Sequence, residues 1–243
     1  MKALQWFTYV LSCLFVFAAG SASAEYTVQS GGVKDGGRVS GRVTLSGPAP
    51  APVMLKVDKD IEACGGDRPS DALLVGSGGG IQNVVLSIET VASGKNWGPP
   101  QEFTYDQKKC SFVPRILLIR PNMAGAVLSS DSVGHNFHTI SKGVYNINKK
   151  IQPGSKLVVS SDNIRRPGMV RVKCDFHSWM GGYWIVAETP YTVTSDKDGN
   201  FSIGDIPPGN YTLKVWHENL GESEQKVVVK KGETTKVDIA LKP

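Results

Sequence analysis

From residue 38 to 45 the chain alternates polar and apolar side chains, with Val39, Val43 and Leu45 on one side of the pattern. A period of two is the mark of a strand with one buried face. Residues 81–88 form a nearly continuous apolar, β-branched run, which predicts a buried strand. Residues 54–57, 115–120, 157–160, 168–173 and 183–187 read as further strands. The second of these lies between Pro114 and Pro121, which lack the donor that a ladder needs. Loops are predicted at 47–52, at the glycine cluster ending with Gly80, and at 94–100. No helix-start signal is followed by a 3.6-residue period, and only 91–109 and 122–148 leave room for a short helix.

After Pro190 the texture changes. Short alternating stretches at 191–194, 201–203, 211–216, 225–230 and 235–241 are separated by turn chemistry: Asp198-Gly199-Asn200, Pro207-Pro208-Gly209 and Lys231-Gly232-Glu233. The pattern predicts an all-β protein. A larger domain is expected over 25–187, and a small antiparallel β-sandwich over 188–243. A unit that small is marginal alone and is expected to pack on the first.

Composition agrees with this picture. Among 243 residues, 27 glycines and 14 prolines suit a turn-rich β structure better than long helices. Charged residues make up 20% and hydrophobic residues 40%, which argues against both disorder and a polytopic membrane protein. The net charge of +5 is mild and spread along the chain, so no nucleic-acid partner is expected. The start of the chain suggests the compartment. Lys2, an apolar run over 4–19 and Ala22-Ser23-Ala24 have the anatomy of a secretory signal peptide over 1–24, cleaved after Ala24. The rival readings are an uncleaved anchor or a lipoprotein at Cys13, which sits early and lacks small neighbours. No later run reaches the roughly 18 apolar residues of a membrane span. A periplasmic or secreted protein is expected, without membrane insertion after cleavage, in a space where disulfides persist.

Once Cys13 is set aside, three cysteines are left: Cys64, Cys110 and Cys174. A single disulfide leaves one thiol over. Cys64 and Cys110 have no histidine within ten residues, whereas Cys174 begins Cys174-Asp175-Phe176-His177-Ser178-Trp179-Met180. The expected pairing is therefore Cys64 with Cys110, with Cys174 as a metal ligand. His135 lies upstream in Gly134-His135-Asn136-Phe137-His138. Two imidazoles, a thiolate and a weak axial thioether are the donor set of a blue-copper electron-transfer centre. Soft sulfur suits Cu(I), imidazole suits Cu(II), and a compromise geometry limits rearrangement between them. Zinc rarely takes a thioether, so Met180 counts against it. The bland alternative is a chance cluster of core and surface residues.

His135-Asn136 followed by Cys174, His177 and Met180 resembles the ligand pattern of the cupredoxins, amicyanin- and plastocyanin-like members above all. The resemblance implies a Greek-key cupredoxin β-sandwich holding one type 1 copper ion. His135, Cys174, His177 and Met180 would be its ligands, and Asn136 would steady the ligand strands. The tail, with Thr194-Ser195-Asp196-Lys197-Asp198-Gly199-Asn200-Phe201 and Ile206-Pro207-Pro208-Gly209-Asn210-Tyr211, is similar to carboxypeptidase-regulatory-like modules, of Ig/transthyretin-like form. The two parts together resemble bacterial exported plastocyanin- or methylamine-utilisation-like proteins. The segment from Glu25 to about Ser111 departs from small cupredoxins and is read as extra strands of the copper domain, which could cover the copper edge.

The remaining candidates read plainly. His138 is expected on the opposite strand face from His135, as a surface residue, and His217 at an exposed strand end. Asp196-Lys197-Asp198-Gly199 is a hairpin turn rather than a calcium loop, which would need a longer ligand run. Trp179 and Trp184 flank the metal loop. Four histidines are too few for a trinuclear cluster or an added type 2 site, and no nucleophile elbow or zinc-protease helix is present. No catalysis is expected. The expected function is an exported one-electron carrier, exchanging electrons along the His177 ring edge with a redox protein such as a c-type cytochrome or a dehydrogenase. The alternatives are a periplasmic copper trafficking or storage protein, and a metal-free cell-surface or carbohydrate-binding module.

Overall fold

The computed structural model describes residues 26–89, 91–99 and 101–243. The expected signal peptide with Cys13 and the cleavage site after Ala24 fall outside them. Two antiparallel-rich β-sandwiches carry two separate cores. No helix among the described residues is long and apolar enough to cross a membrane.

In the first sandwich, a five-stranded sheet runs in the order Asn148–Ile151, His135–Ser141, Gly168–Lys173, Gly181–Val186, Ile116–Ile119. It faces a four-stranded sheet ordered Lys156–Val159, Gly125–Ser129, Phe103–Gln107, Phe112–Val113. Strand periodicity turns Phe137, Val170, Val172 and Trp184 inward from one sheet and Phe103, Tyr105 and Val127 from the other. The aromatic centre is close-packed. Tyr105 stacks on Phe112 at 5.4 Å and meets Trp184 edge-on at 5.5 Å, separations typical of favourable aromatic pairs. The windows left open for a short helix, 91–109 and 122–148, hold strands instead: Phe103–Gln107, Gly125–Ser129 and His135–Ser141. Among the described residues, the one α-helical turn is Ile61–Cys64.

The second sandwich corrects the expected domain boundary. Its sheets are ordered Thr192–Thr194, Val85–Ser87, Gly209–His217, Gly221–Val229, and Asn200–Ile206, Gly37–Leu45, Thr234–Lys236. Gly37–Leu45 pairs antiparallel with Asn200–Ile206 and parallel with Thr234–Lys236 and Ile239–Leu241. The strands Gly37–Leu45 and Val85–Ser87 therefore complete the C-terminal sandwich rather than adding to the first one. Val39, Val43, Ile81 and Leu86 share one core with Phe201, Ile203, Leu213 and Val237. Gly41 is required by close approach, since a Cβ there would lie 1.8 Å from the Val237 carbonyl oxygen. The turn at 196–200 is a hydrogen-bonded hairpin, with Asp196 accepting from the Asp198 and Asn200 amides.

Ahead of residue 101, the segment 53–70 goes to the first sandwich, where Val57 and Cys64 join its core. The short pair Met54–Leu55 with Arg68–Pro69 frames the helical turn. The segment is fastened by the Cys64–Cys110 disulfide, with a Cα–Cα distance of 5.2 Å. Arg68 adds donors to the carbonyls of Lys109 and Cys110. The two sandwiches meet at Arg115, which donates to Glu218 at 2.7 Å and also pairs with Asp71. Tyr183 and Trp216 pack edge-on beside it at 5.1 Å.

His217 ends a strand at this meeting point and is buried rather than exposed. Arg115 closes over what would otherwise be a free strand end. Burial, reinforced by the Arg115 charge, pushes the His217 pKa down to about 4.

Two outcomes follow. Truncation after residue 187 should leave Gly37–Leu45 and Val85–Ser87 without partners and expose Val39, Val43 and Leu86. Size-exclusion chromatography and limited proteolysis should show an aggregating or N-terminally cleaved product, not a compact copper domain. His217 is neutral in the folded protein while the unfolded chain takes a proton near pH 6.5. Its contribution is complete above that pH and is lost as pH falls towards 4, by about 3 kcal/mol at most. Urea midpoints measured between pH 7 and 4.5 should fall less steeply in His217→Gln than in the parent.

Candidate metal centre

The site sits at one end of the first sandwich, where a strand start and a strand-joining turn converge. His135 opens the strand His135–Ser141, and Cys174 follows Gly168–Lys173. His177 and Met180 lie in the turn leading to Gly181–Val186. That turn is closed by the Met180 amide donating to the His177 carbonyl at 3.0 Å and the Cys174 amide to the Met180 carbonyl at 3.3 Å. Strand pairing of His135–Ser141 with Gly168–Lys173 brings the distant histidine beside the cysteine.

His135 Nδ1 lies 3.0 Å from His177 Nδ1, and Cys174 Sγ lies 3.7 Å from the same His177 nitrogen. All three residues are buried, as is Met180. One donor atom from each of His135, Cys174 and His177 falls within 4.8 Å of the other two. Cys110, Asp131 and His135 also cluster, but the Cys110 sulfur is spent in the disulfide.

The ring nitrogens facing away from this point are both occupied. His135 Nε2 lies 2.8 Å from an Asp131 carboxylate oxygen, and His177 Nε2 lies 2.8 Å from one of Asp60. A neutral imidazole that donates from Nε2 presents a lone pair at Nδ1. The two rings thus face each other lone pair to lone pair beside a buried thiol. A cation at that point relieves the opposition, and two imidazoles with one thiolate suit copper. The residues present therefore fit a copper ion. Burial holds the pKa of His135 below the usual imidazole value, against the opposing pull of Asp131, which keeps Nδ1 available as a ligand.

Asn136 ties the two ligand-bearing segments together. Its amide donates to Cys174 Sγ at 3.2 Å, and its side-chain oxygen accepts from the Asp175 amide at 3.1 Å. An amide donor to a thiolate sulfur delocalises its charge and orients it.

Two residues at the site escaped the sequence reading. Asp131 lies one turn of chain before His135 and also accepts from the amides of Lys109 and Cys110. Both of those residues have positive φ, 53° and 49°, and consecutive amides in such a turn form a pocket for a carboxylate. Asp60 comes from far upstream, with no local signal of its partner. Trp179 packs its ring 5.0 Å from that of His177 and donates from its indole to the Cys110 carbonyl at 3.2 Å. Trp184 is core rather than loop, fully buried among Tyr105, Phe137 and Tyr145.

The His177 ring edge expected as the electron route has no exposed surface: the Asp60 carboxylate lies on its outer nitrogen and the Trp179 ring beside it. Phe176 beside it is exposed, with the amines of Lys59 and Lys150 at 5.4 and 5.9 Å from its ring. On another side, Cys174, Trp179 and Met180 border an open cleft whose rim carries Arg171 and Lys173. Of the other histidines, His138 pairs with Asp175 at 2.9 Å on the surface side of its strand, and His217 lies in the second sandwich.

Residues 181–242 match the carboxypeptidase regulatory-like domain family; in the fold, Gly181–Val186 at the start of that stretch belongs to the ligand sheet. A search of curated proteins gives no match. Among solved structures, the chain is similar to a copper-containing nitrite reductase from Thermus scotoductus, with 20% identity and a TM-score of 0.34, over 38% of this chain and 24% of that one. The chain thus spans about a quarter of that reductase. It is also similar to a reduced amicyanin variant, with 16% identity and a TM-score of 0.32, over 37% of this chain and 86% of that one. A purple cupredoxin from Nitrosopumilus maritimus aligns at 24% identity with a TM-score of 0.27, over 31% of this chain and 81% of that one.

Proposed function

We propose that the protein is an exported carrier of single electrons, built around one type 1 copper ion held by His135, Cys174 and His177 with Met180 as the weak fourth donor. The observation that carries this reading is the pair of buried Nδ1 atoms 3.0 Å apart beside the Cys174 thiol. When bound there, copper supplies reversible one-electron chemistry between its two common oxidation states. The chain's own residues hold the donor set still. Asn136 fixes the sulfur, Asp131 and Asp60 fix the two rings, and burial keeps water from the thiol.

A carrier fits better than an enzyme because the remaining histidines are engaged elsewhere, His138 with Asp175 and His217 beside Arg115. Neither stands free to build a second metal centre. An oxidising, extracytoplasmic setting agrees with the Cys64–Cys110 disulfide. The partner would be another redox protein, such as a c-type cytochrome or a dehydrogenase, docking beside the covered His177 edge.

The test is an absorption spectrum of the chain from Glu25 onward after Cu(II) loading and removal of excess metal. An intense visible thiolate-to-copper band that ascorbate bleaches is expected. Cys174→Ser should abolish the band, and Met180→Leu should keep it while raising the reduction potential. A Cys174→Ser protein that stays intensely coloured would sink the assignment. A colourless parent that binds only Cu(I) would point to metal trafficking instead.

A further inference from the structure

Asp60 breaks two local rules at once. It stands at the N-cap of the turn Ile61–Cys64, where an aspartate ordinarily accepts from the first helical amides. Its side chain makes no such bond. Its backbone is left-handed, with φ 51° and ψ 40°, a conformation uncommon outside glycine and tolerated best by Asn and Asp. Both departures turn the carboxylate away from its own helix and onto His177 Nε2, 2.8 Å away and 117 positions further along the chain. Local rules given up together in this way mark a functional position.

The rest of the segment is built to hold that carboxylate in place. Cys64, at the end of the same turn, is bonded to Cys110. Arg68 donates to the carbonyls of Lys109 and Cys110 and to the Ser111 hydroxyl. Asp67 accepts from the Val57 amide at 2.8 Å, closing the base of the loop. The same Lys109–Cys110 turn holds Asp131, the partner of His135. A single turn therefore anchors both carboxylates that orient the two rings. His177 has no exposed surface while Asp60 itself keeps about a third of its side chain exposed, so Asp60 is the outermost layer over the ring.

We propose that Asp60 is a positioning residue and the cover of the metal centre: its hydrogen bond turns His177 Nδ1 inward, and the disulfide-fastened 53–70 segment seals the His177 ring edge from solvent. A redox partner then meets the Asp60 carboxylate and the Phe176 surface rather than the imidazole. The inference rests on the copper reading for its purpose, but its geometry and its test concern the metal-free protein.

The test compares the parent, Asp60→Asn and Asp60→Ala, each as metal-free chain from Glu25 onward with the disulfide intact. Asparagine keeps an acceptor oxygen for His177 Nε2 and loses the charge; alanine loses both. Modification of His177 by diethyl pyrocarbonate, a neutral reagent, should run about tenfold faster or more in Asp60→Ala and stay within about threefold of the parent in Asp60→Asn. Nitrogen-15 shifts of His177 should report the Nε2–H tautomer in the parent and in Asp60→Asn, and a mixture in Asp60→Ala. Equal His177 modification rates in parent and Asp60→Ala, or a His177 tautomer unchanged by the alanine, overturns the proposal. A protein that gives the expected Asp60 effects yet takes up no copper leaves this inference standing and defeats the carrier reading.

Discussion

Two imidazole nitrogens lie 3.0 Å apart in a buried pocket where each ring already directs its other nitrogen to a carboxylate. Neutral rings in this arrangement oppose their lone pairs, and a buried thiol stands beside them. Such a cluster is costly in a protein interior unless something positive is placed among the donors. Much of the surrounding structure serves to keep this arrangement from relaxing. Strand pairing sets the backbone of His135, a closed turn sets Cys174 and His177, and two aspartates set the rings.

The path of the chain explains how two sandwiches can support one site. The strand Gly37–Leu45 goes to the second sandwich, residues 53–70 cross to the first, and Val85–Ser87 returns to the second. From 101 to 187 the chain stays with the ligand sheets before finishing the second sandwich. The second core joins two separated stretches, whereas the first is continuous from 103 to 186 except for the fastened loop it borrows. Loss of either end of the chain therefore reaches the metal centre through the 53–70 segment. The Arg115 contacts with Asp71 and Glu218 are a further link, and their burial makes the guanidinium difficult to replace without leaving carboxylates unpaired.

If the centre carries electrons as proposed, covering the His177 edge would change where a partner meets it. An exposed imidazole edge allows close, shallow docking. Here the surface consists of the Asp60 carboxylate, the Phe176 ring and the amines of Lys59 and Lys150. Opposite charges so close together favour an oriented encounter over a strongly steered one, because their fields partly cancel at distance. Trp179, packed against His177 and bordering the open cleft, supplies a second apolar surface beside the donor set.

What was legible from the sequence follows from the range of the interactions involved. Val39, Val43 and Leu45 declare a strand by their spacing, and Cys174, His177 and Met180 declare a ligand turn by theirs, because both depend on neighbours within a few residues. The Cys64–Cys110 bridge followed from counting thiols. Pairing partners were another matter. That Gly37–Leu45 joins strands nearly two hundred positions away depends on which inward faces fit together, and alternation alone does not encode a partner. The weakly patterned strands Phe103–Gln107 and Gly125–Ser129 became strands through the sheet they complete, not through local preference. Asp60 and Asp131 are ordinary loop aspartates in the sequence. Only tertiary structure set them on the two imidazoles, because a hydrogen bond across 117 positions leaves no trace in local composition.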